Sequence, residues 1–251
     1  MMDIFEILRD HGMLLLMGQF PHGPIGGLAC TLLLSLLAIT FSLPVGICLG
    51  LARLSPWRIV RWPATCWVYI FRGVPLMMVI FWTYFCIPLL IGQNVGGFST
   101  MLCTLVIYES AYIAEIVRGG IQALPPGQYE GARAIGMGHI NALRLVILPQ
   151  ALFNSLPSLI TQLVSIIKDS TLGYVINVPE LTYATNQVSN QLLTKPFQVF
   201  AIVAVSYYII CFGLTYLSDK LEAYISKKRE GNTSTNKEVN GTLAFAGSES
   251  D

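Results

Sequence analysis

The chain has 251 residues, 54% of them hydrophobic and 12% charged, about half the charged share of a soluble domain, so a water-soluble globule would lack the polar surface to cover itself. A formal net charge of +1 argues against a nucleic-acid binder held by phosphate contacts, because such domains are strongly basic. Composition therefore predicts an all-α integral membrane protein with the lipid bilayer as its solvent.

Residues 1–24 carry Asp3, Glu6, Arg9 and Asp10 and lack the basic start, apolar run and cleavage site of a signal peptide. Targeting falls to the first transmembrane helix. Ile4, Phe5, Leu8 and the run from Met13 to Met17 are too short to span and are predicted to lie along the outer interface as an amphipathic helix.

A span needs about 20 largely apolar residues. Stretches free of Asp, Glu, Lys and Arg run from Ile25 to Ala52, Gly73 to Tyr108, Leu145 to Ile167 and Pro196 to Ser218. The second is too long for one helix and is broken by Gly92-Gln93-Asn94-Val95-Gly96-Gly97, a turn-forming cluster. Five spans result, near 26–52, 67–91, 98–118, 145–168 and 197–219, inside a transmembrane domain covering 25–228. Gly46-x-x-x-Gly50 sits in the first span and is either a site of close helix approach or a chance match in a glycine-rich chain.

Basic residues set the orientation. Twelve fall on one side: Arg53, Arg58, Arg61 and Arg72, then Arg118, Arg133 and Arg144, then Lys220, Lys227, Lys228, Arg229 and Lys237. Only Arg9, Lys168 and Lys195, three in all, fall on the other. The first and third connections and the C-terminus are predicted to be cytoplasmic, and the N-terminus external. Trp57, Trp62, Trp67 and Tyr69 beside the arginines fit an interfacial aromatic belt. The tail over 229–251, rich in Gly, Ser, Thr and Asn, is predicted to be disordered.

The six cysteines form no C-x-x-C pair and read as small apolar core residues, so neither a metal nor a cofactor is expected. There is no internal repeat. No G-x-x-x-x-G-K-S/T phosphate loop occurs, and this chain is not expected to be an enzyme that hydrolyses ATP.

The third connection, over 119–144, is polar yet written as structured helix. Pro125-Pro126 suits a first helical turn, and a short helix is predicted over Gln128 to Ile135. Glu130 and Arg133 stand i, i+3 and can pair. Gly136 comes where that helix must stop, and a second short helix from His139 runs into Pro149. Two helices angled about a glycine make a knuckle that a partner's cleft can grip.

This connection resembles the membrane subunits of bacterial binding-protein-dependent importers, whose loop carries E-A-A-x3-G-x9-I-x-L-P. Here Glu130-Gly131-Ala132, Gly136 and Val146-Ile147-Leu148-Pro149 stand at the same spacing, with Gly131 for the usual Ala and Val146 for the usual Ile. Phe71-Arg72-Gly73-Val74-Pro75, Ala111-Tyr112-x-x-Glu115-Ile116-x-Arg118-Gly119-Gly120-Ile121, Leu148-Pro149-Gln150-Ala151 and Lys168-Asp169-Ser170-Thr171-Leu172 look like the polar amino acid branch. Tyr108-Glu109-Ser110-Ala111-Tyr112 and Pro75-Leu76-Met77-Met78-Val79 are similar to the glutamate/aspartate permeases. The resemblance implies a permease of the type I ABC importer fold, in the bacterial inner membrane. Two permease subunits, alike or related, would pair around the amino acid path, with two ATPase subunits on their knuckles and a periplasmic binding protein delivering the substrate. Glu130, Gly131, Ala132, Arg133, Gly136, Leu148 and Pro149 would form the coupling loop.

Ionisable side chains inside a membrane are functional candidates by default. Glu109 falls close to the midplane without a partner in its own span, either on the substrate path or in a buried structural hydrogen bond. A carboxylate there repels an acidic substrate unless protonated or paired. Glu115 can form a structural ion pair with Arg118, one turn on. Lys168-Asp169 is expected at the outer end of the fourth span, as an interface anchor or a contact for the arriving amino acid. An ion-coupled secondary carrier is the alternative; it predicts inverted repeats and discontinuous midplane helices and gives the knuckle no purpose.

Overall fold

The computed structural model describes side chains over residues 4–193 and 195–227. The tail expected to be disordered, 229–251, lies outside these described residues.

An N-terminal helix, α1 (Met2–Met17), is followed by α2 (Gly27–Arg53), α3 (Arg58–Gly73), α4 (Leu76–Ile91) and α5 (Gly97–Gln122). Next come α6 (Pro126–Ala134), the single turn α7 (His139–Asn141), a wide π-type stretch (Ala142–Ile147) and α8 (Leu148–Asp169), prolonged by a 3₁₀ segment (Ser170–Ile176). Then follow α9 (Leu181–Leu192) and α10, described over Pro196–Lys227. Among the described residues the only β contacts are the isolated bridges Gly18 to Ile25 and Gly27 to Glu180.

Among the described residues four helical stretches are long and apolar enough to cross a bilayer: Gly27–Arg53, Gly97–Gln122, His139–Ile176 and Pro196–Lys227. The span expected as one helix over 67–91 is instead two, α3 and α4, bent by 108°. Pro75 causes the break: it disfavours a helical backbone at the residue before it, and Val74 is extended at φ −102°, ψ 136°. Counting the bent pair as one span gives five.

Helix α5 is the axle of the bundle and packs against α2, α3, α4 and α8. Leu34 and Ala38 of α2, Val79 and Ile80 of α4, Met101 and Leu105 of α5 and Ile166 of α8 form one buried cluster. The glycine pair of α2 is a contact: a Cβ at Gly46 would lie 2.5 Å from Ile113 Cγ2, and one at Gly50 2.9 Å from the Ala114 carbonyl oxygen. Close backbone approach of this kind is what small residues permit between membrane helices.

The N-terminal segment is helical, and α1 buries Ile7 and Leu15 against Leu181 and Val188 of α9 and Val199 of α10. Helix α9 was not expected. It is too polar to span, and it exists because Glu180 caps its N-terminus while Leu181, Ala184 and Val188 turn inward.

Candidate functional site

The knuckle is built by α6, a glycine turn and α7. Pro126 opens α6, where its missing N–H costs nothing. Gly136 closes it at φ +85°. The Met137 N–H donates to the Ala132 carbonyl at 3.2 Å and the Gly136 N–H to that of Arg133 at 3.0 Å, the paired bonds of a Schellman stop. Arg133 does not pair with Glu130 as expected; its Nη1 donates to the Met137 carbonyl at 2.6 Å, tightening the same turn.

Tyr129 Oη lies 2.7 Å from His139 Nδ1 and joins the two arms. Ala132 is buried beneath them, whereas Ile135 and Ile140 are 80% and 75% exposed. The π-type stretch ends two residues before Pro149, whose ring removes one helical hydrogen bond and crowds the turn before it. Leu148 packs against the buried cluster of Ile113, Val117 and Leu159, which ties the knuckle to the bundle.

A charge cluster sits beside it. Glu115 pairs with Arg118 (Nε to Oε2, 2.8 Å) as the i, i+3 spacing predicts. It also receives Arg53 of α2, bonded to Oε1, and Arg72 of α3 at 3.4 Å. Arg53 and Arg72 lie over the rings of Tyr69 and Tyr112 at 5.7 and 5.4 Å. One carboxylate thus gathers three arginines from three helices, two of which the sequence reading missed.

Deeper in the bundle Glu109 is fully buried at 0% exposure. Gln162 Nε2 of α8 donates to its Oε2 at 2.5 Å. Its other oxygen is buried and accepts no hydrogen bond among the described residues; the half-buried Asp169 carboxyl lies near Glu109. Asp169 reaches this depth because the helix continues past it to Ile176, so Lys168-Asp169 is not the outer end of the span. Lys168 is exposed and does not join Glu109. Gln162 is the partner that the sequence reading did not assign.

At the end of the bundle away from the knuckle, Glu180 is buried and accepts the N–H groups of Thr182 and Tyr183, each at 2.8 Å, and the Tyr207 hydroxyl at 3.2 Å. Burial outweighs these bonds and pushes its carboxyl up to about 7. Beside it a cavity of about 450 Å³ is bounded by Gln19, Gly97, Asn177, Tyr183 and Gln187.

Residues 42–226 match the family described as binding-protein-dependent transport system inner membrane component. Over 201 residues the chain is 36% identical to the inner membrane amino-acid ABC transporter permease protein YhdY of Escherichia coli (strain K12), covering 78% of this chain but only 55% of YhdY. Over 206 residues it is 31% identical to the glutamate/aspartate import permease protein GltK of Escherichia coli O6:H1, covering 79% of this chain and 91% of GltK. A crystal structure of an amino acid ABC transporter with histidines superposes with a TM-score of 0.71 at 33% identity, covering 79% of this chain and 92% of that one. With the family matched over most of its length, the chain belongs to the inner membrane components of binding-protein-dependent transport systems, as an amino-acid ABC transporter permease.

Proposed function

We propose that this chain and a second permease subunit, alike or related, form the inner-membrane path of a polar amino acid importer, driven by a separate ATPase through the knuckle. The shape of the knuckle carries this reading. A turn closed at Gly136 lifts Ile135 and Ile140, both largely exposed, out of the bundle, and apolar surface on a short polar loop marks a contact with another protein. Glu130, Gly131, Ala132, Arg133 and Gly136 shape it, and Leu148 with Pro149 roots it.

The twelve-to-three split of basic residues puts the knuckle and the C-terminus in the cytoplasm and the N-terminus in the periplasm. A periplasmic binding protein then delivers substrate to the end that holds Glu180. In a cysteine-free background Asn94→Cys labels in intact cells, and Ser226→Cys only after permeabilisation; equal labelling refutes this orientation. Uptake into vesicles requires ATP and the binding protein. Uptake on an ion gradient alone would establish the carrier instead.

Glu109, Lys168 and Asp169 mark the substrate path. The likeness to GltK, whose name gives glutamate and aspartate, supports an acidic amino acid. A second reading rests on the charges: the buried Glu109 carboxyl and the half-buried Asp169 carboxyl lie near each other, and such a pair favours a substrate that brings a cation. Competition in proteoliposomes separates them, glutamate outcompeting arginine in the first case and arginine or histidine outcompeting glutamate in the second.

A further inference from the structure

Helix α3 meets the bundle along a narrow strip. Ala64 and Val68 are its only fully buried residues, Val68 packing on Ala111 and Ala114 of α5. Trp67 Nε1 donates to Ser110 Oγ at 3.2 Å. Its contacts with α5 therefore begin near the middle of that helix, at Ser110, and run towards the knuckle end, at Glu115. Helix α4 runs the other way along α5, with Thr83 and Thr104 hydroxyls 2.5 Å apart. With α4 running along α5, the 108° bend turns α3 across the bundle.

Around its circumference α3 is graded. At about 100° per residue, Arg58, Arg61 and Arg72 fall on one stripe, Trp62 and Tyr69 on the next, and Ile59 and Ile70 beyond them. All of these side chains are exposed, Ile59 to 90%, Trp62 to 72% and Trp57, just before the helix, to 73%. A passage from cation through amphipathic ring to aliphatic chain matches the passage from headgroup to hydrocarbon. Arg72 is held by Glu115. Arg58 and Arg61 have no acidic partner among the described residues, and α3 contains no acidic residue.

We propose that α3 is an interfacial helix whose Arg58 and Arg61 bind the phosphates of anionic phospholipids at the knuckle end of the protein, with Trp57 and Trp62 set at the headgroup boundary. One turn apart on a helix, the two guanidinium groups straddle adjacent headgroups, and the arginine stems lie along the acyl region while the heads reach outward. Charge selects the occupant. A zwitterionic headgroup offers no net attraction, and each arginine contributes about a fivefold preference for an anionic one.

The test uses the full chain in nanodiscs of phosphatidylcholine with a fraction of phosphatidylglycerol, in a Trp82→Phe background so that the tryptophan signal comes from α3 and the residue before it. Phosphatidylglycerol brominated near the headgroup end of its chains should quench the fluorescence several-fold more effectively than equally brominated phosphatidylcholine. Added salt should weaken the difference. The pair Arg58→Gln and Arg61→Gln should abolish it at unchanged folding, whereas Lys227→Gln should not. Equal quenching by both lipids in the native chain overturns the proposal. So does a preference that survives the double substitution. Weak quenching by either lipid overturns it too, since α3 would then be covered by another subunit.

Discussion

The Tyr129 hydroxyl and the His139 ring nitrogen Nδ1 lie 2.7 Å apart, on opposite sides of the Gly136 turn. This bond and the Schellman closure hold the two arms of the knuckle at one angle, so the shape offered to a partner depends on both.

Substitutions at the two glycines of the knuckle should separate strain from space. Gly136 has φ +85°, yet a Cβ there meets nothing within 4 Å, so any cost is conformational. Gly136→Ala should cost about 1–2 kcal/mol locally and Gly136→Val more. ATPase co-purification and uptake should fall in that order at normal membrane abundance. Gly131 lies inside α6, also with open space around a Cβ, so Gly131→Ala should keep uptake and gain up to about 1 kcal/mol of helix stability. Normal uptake in Gly136→Val would remove the knuckle from the coupling path.

The α2–α5 contact should resist even one methyl group. Gly46→Ala places a carbon 2.5 Å from Ile113 Cγ2 and 3.2 Å from the Ser110 carbonyl oxygen, and Gly50→Ala meets the fixed backbone of Ala114 at 2.9 Å. Each should lower stability in detergent by about 1–3 kcal/mol, read as a fall in the thermal midpoint on size-exclusion chromatography. Gly213→Ala, with open space around it, should leave the midpoint unchanged.

The spans were legible because charge-free runs of that length have one use, and the first came within a residue of its observed range, 26–52 against Gly27–Arg53. The bend between α3 and α4 was hidden because apolarity continues through Pro75 and hydropathy carries no direction. Helix α9 escaped because its Thr, Asn, Gln and Ser residues show neither a span nor a clear stripe; a tertiary contact and one cap decide it. The Gly136 stop and the Glu115–Arg118 pair could be read locally. The partners of Glu109 could not: Gln162 stands 53 residues away, and only the approach of α8 to α5 brings it there.

The arginine cluster should show a graded dependence. Removing the shared carboxylate in Glu115→Gln leaves three like charges facing one another and should cost about 2–3 kcal/mol, less than a fully buried pair because Glu115 keeps 19% side-chain exposure. Arg53→Gln should come next, its side chain being 8% exposed. Arg72→Gln should cost under about 1 kcal/mol, since Arg72 is 42% exposed and 3.4 Å away. Thermal midpoints of the three variants in one detergent check the ranking, and a larger loss in Arg72→Gln than in Glu115→Gln would reverse it.

Stability should also depend on pH through Glu180. Burial raises its carboxyl from 4.5 to about 7, against the opposing pull of the Thr182 and Tyr183 N–H groups and the Tyr207 hydroxyl. The folded pKa is above the unfolded one, so the folded state holds the proton more tightly. Its contribution is fully present below about 4.5, falls as pH rises towards 7, and is level above that. At about 1.4 kcal/mol per pKa unit the loss across this window is on the order of 3 kcal/mol. Glu180→Gln is uncharged at every pH and its amide oxygen can still accept an N–H of the α9 cap. Its thermal midpoint should therefore change little between pH 5 and pH 7.5, while that of the native chain falls. The two curves should converge at low pH, where both side chains are neutral, and separate as pH rises. Parallel curves over the whole range would place the titrating group elsewhere.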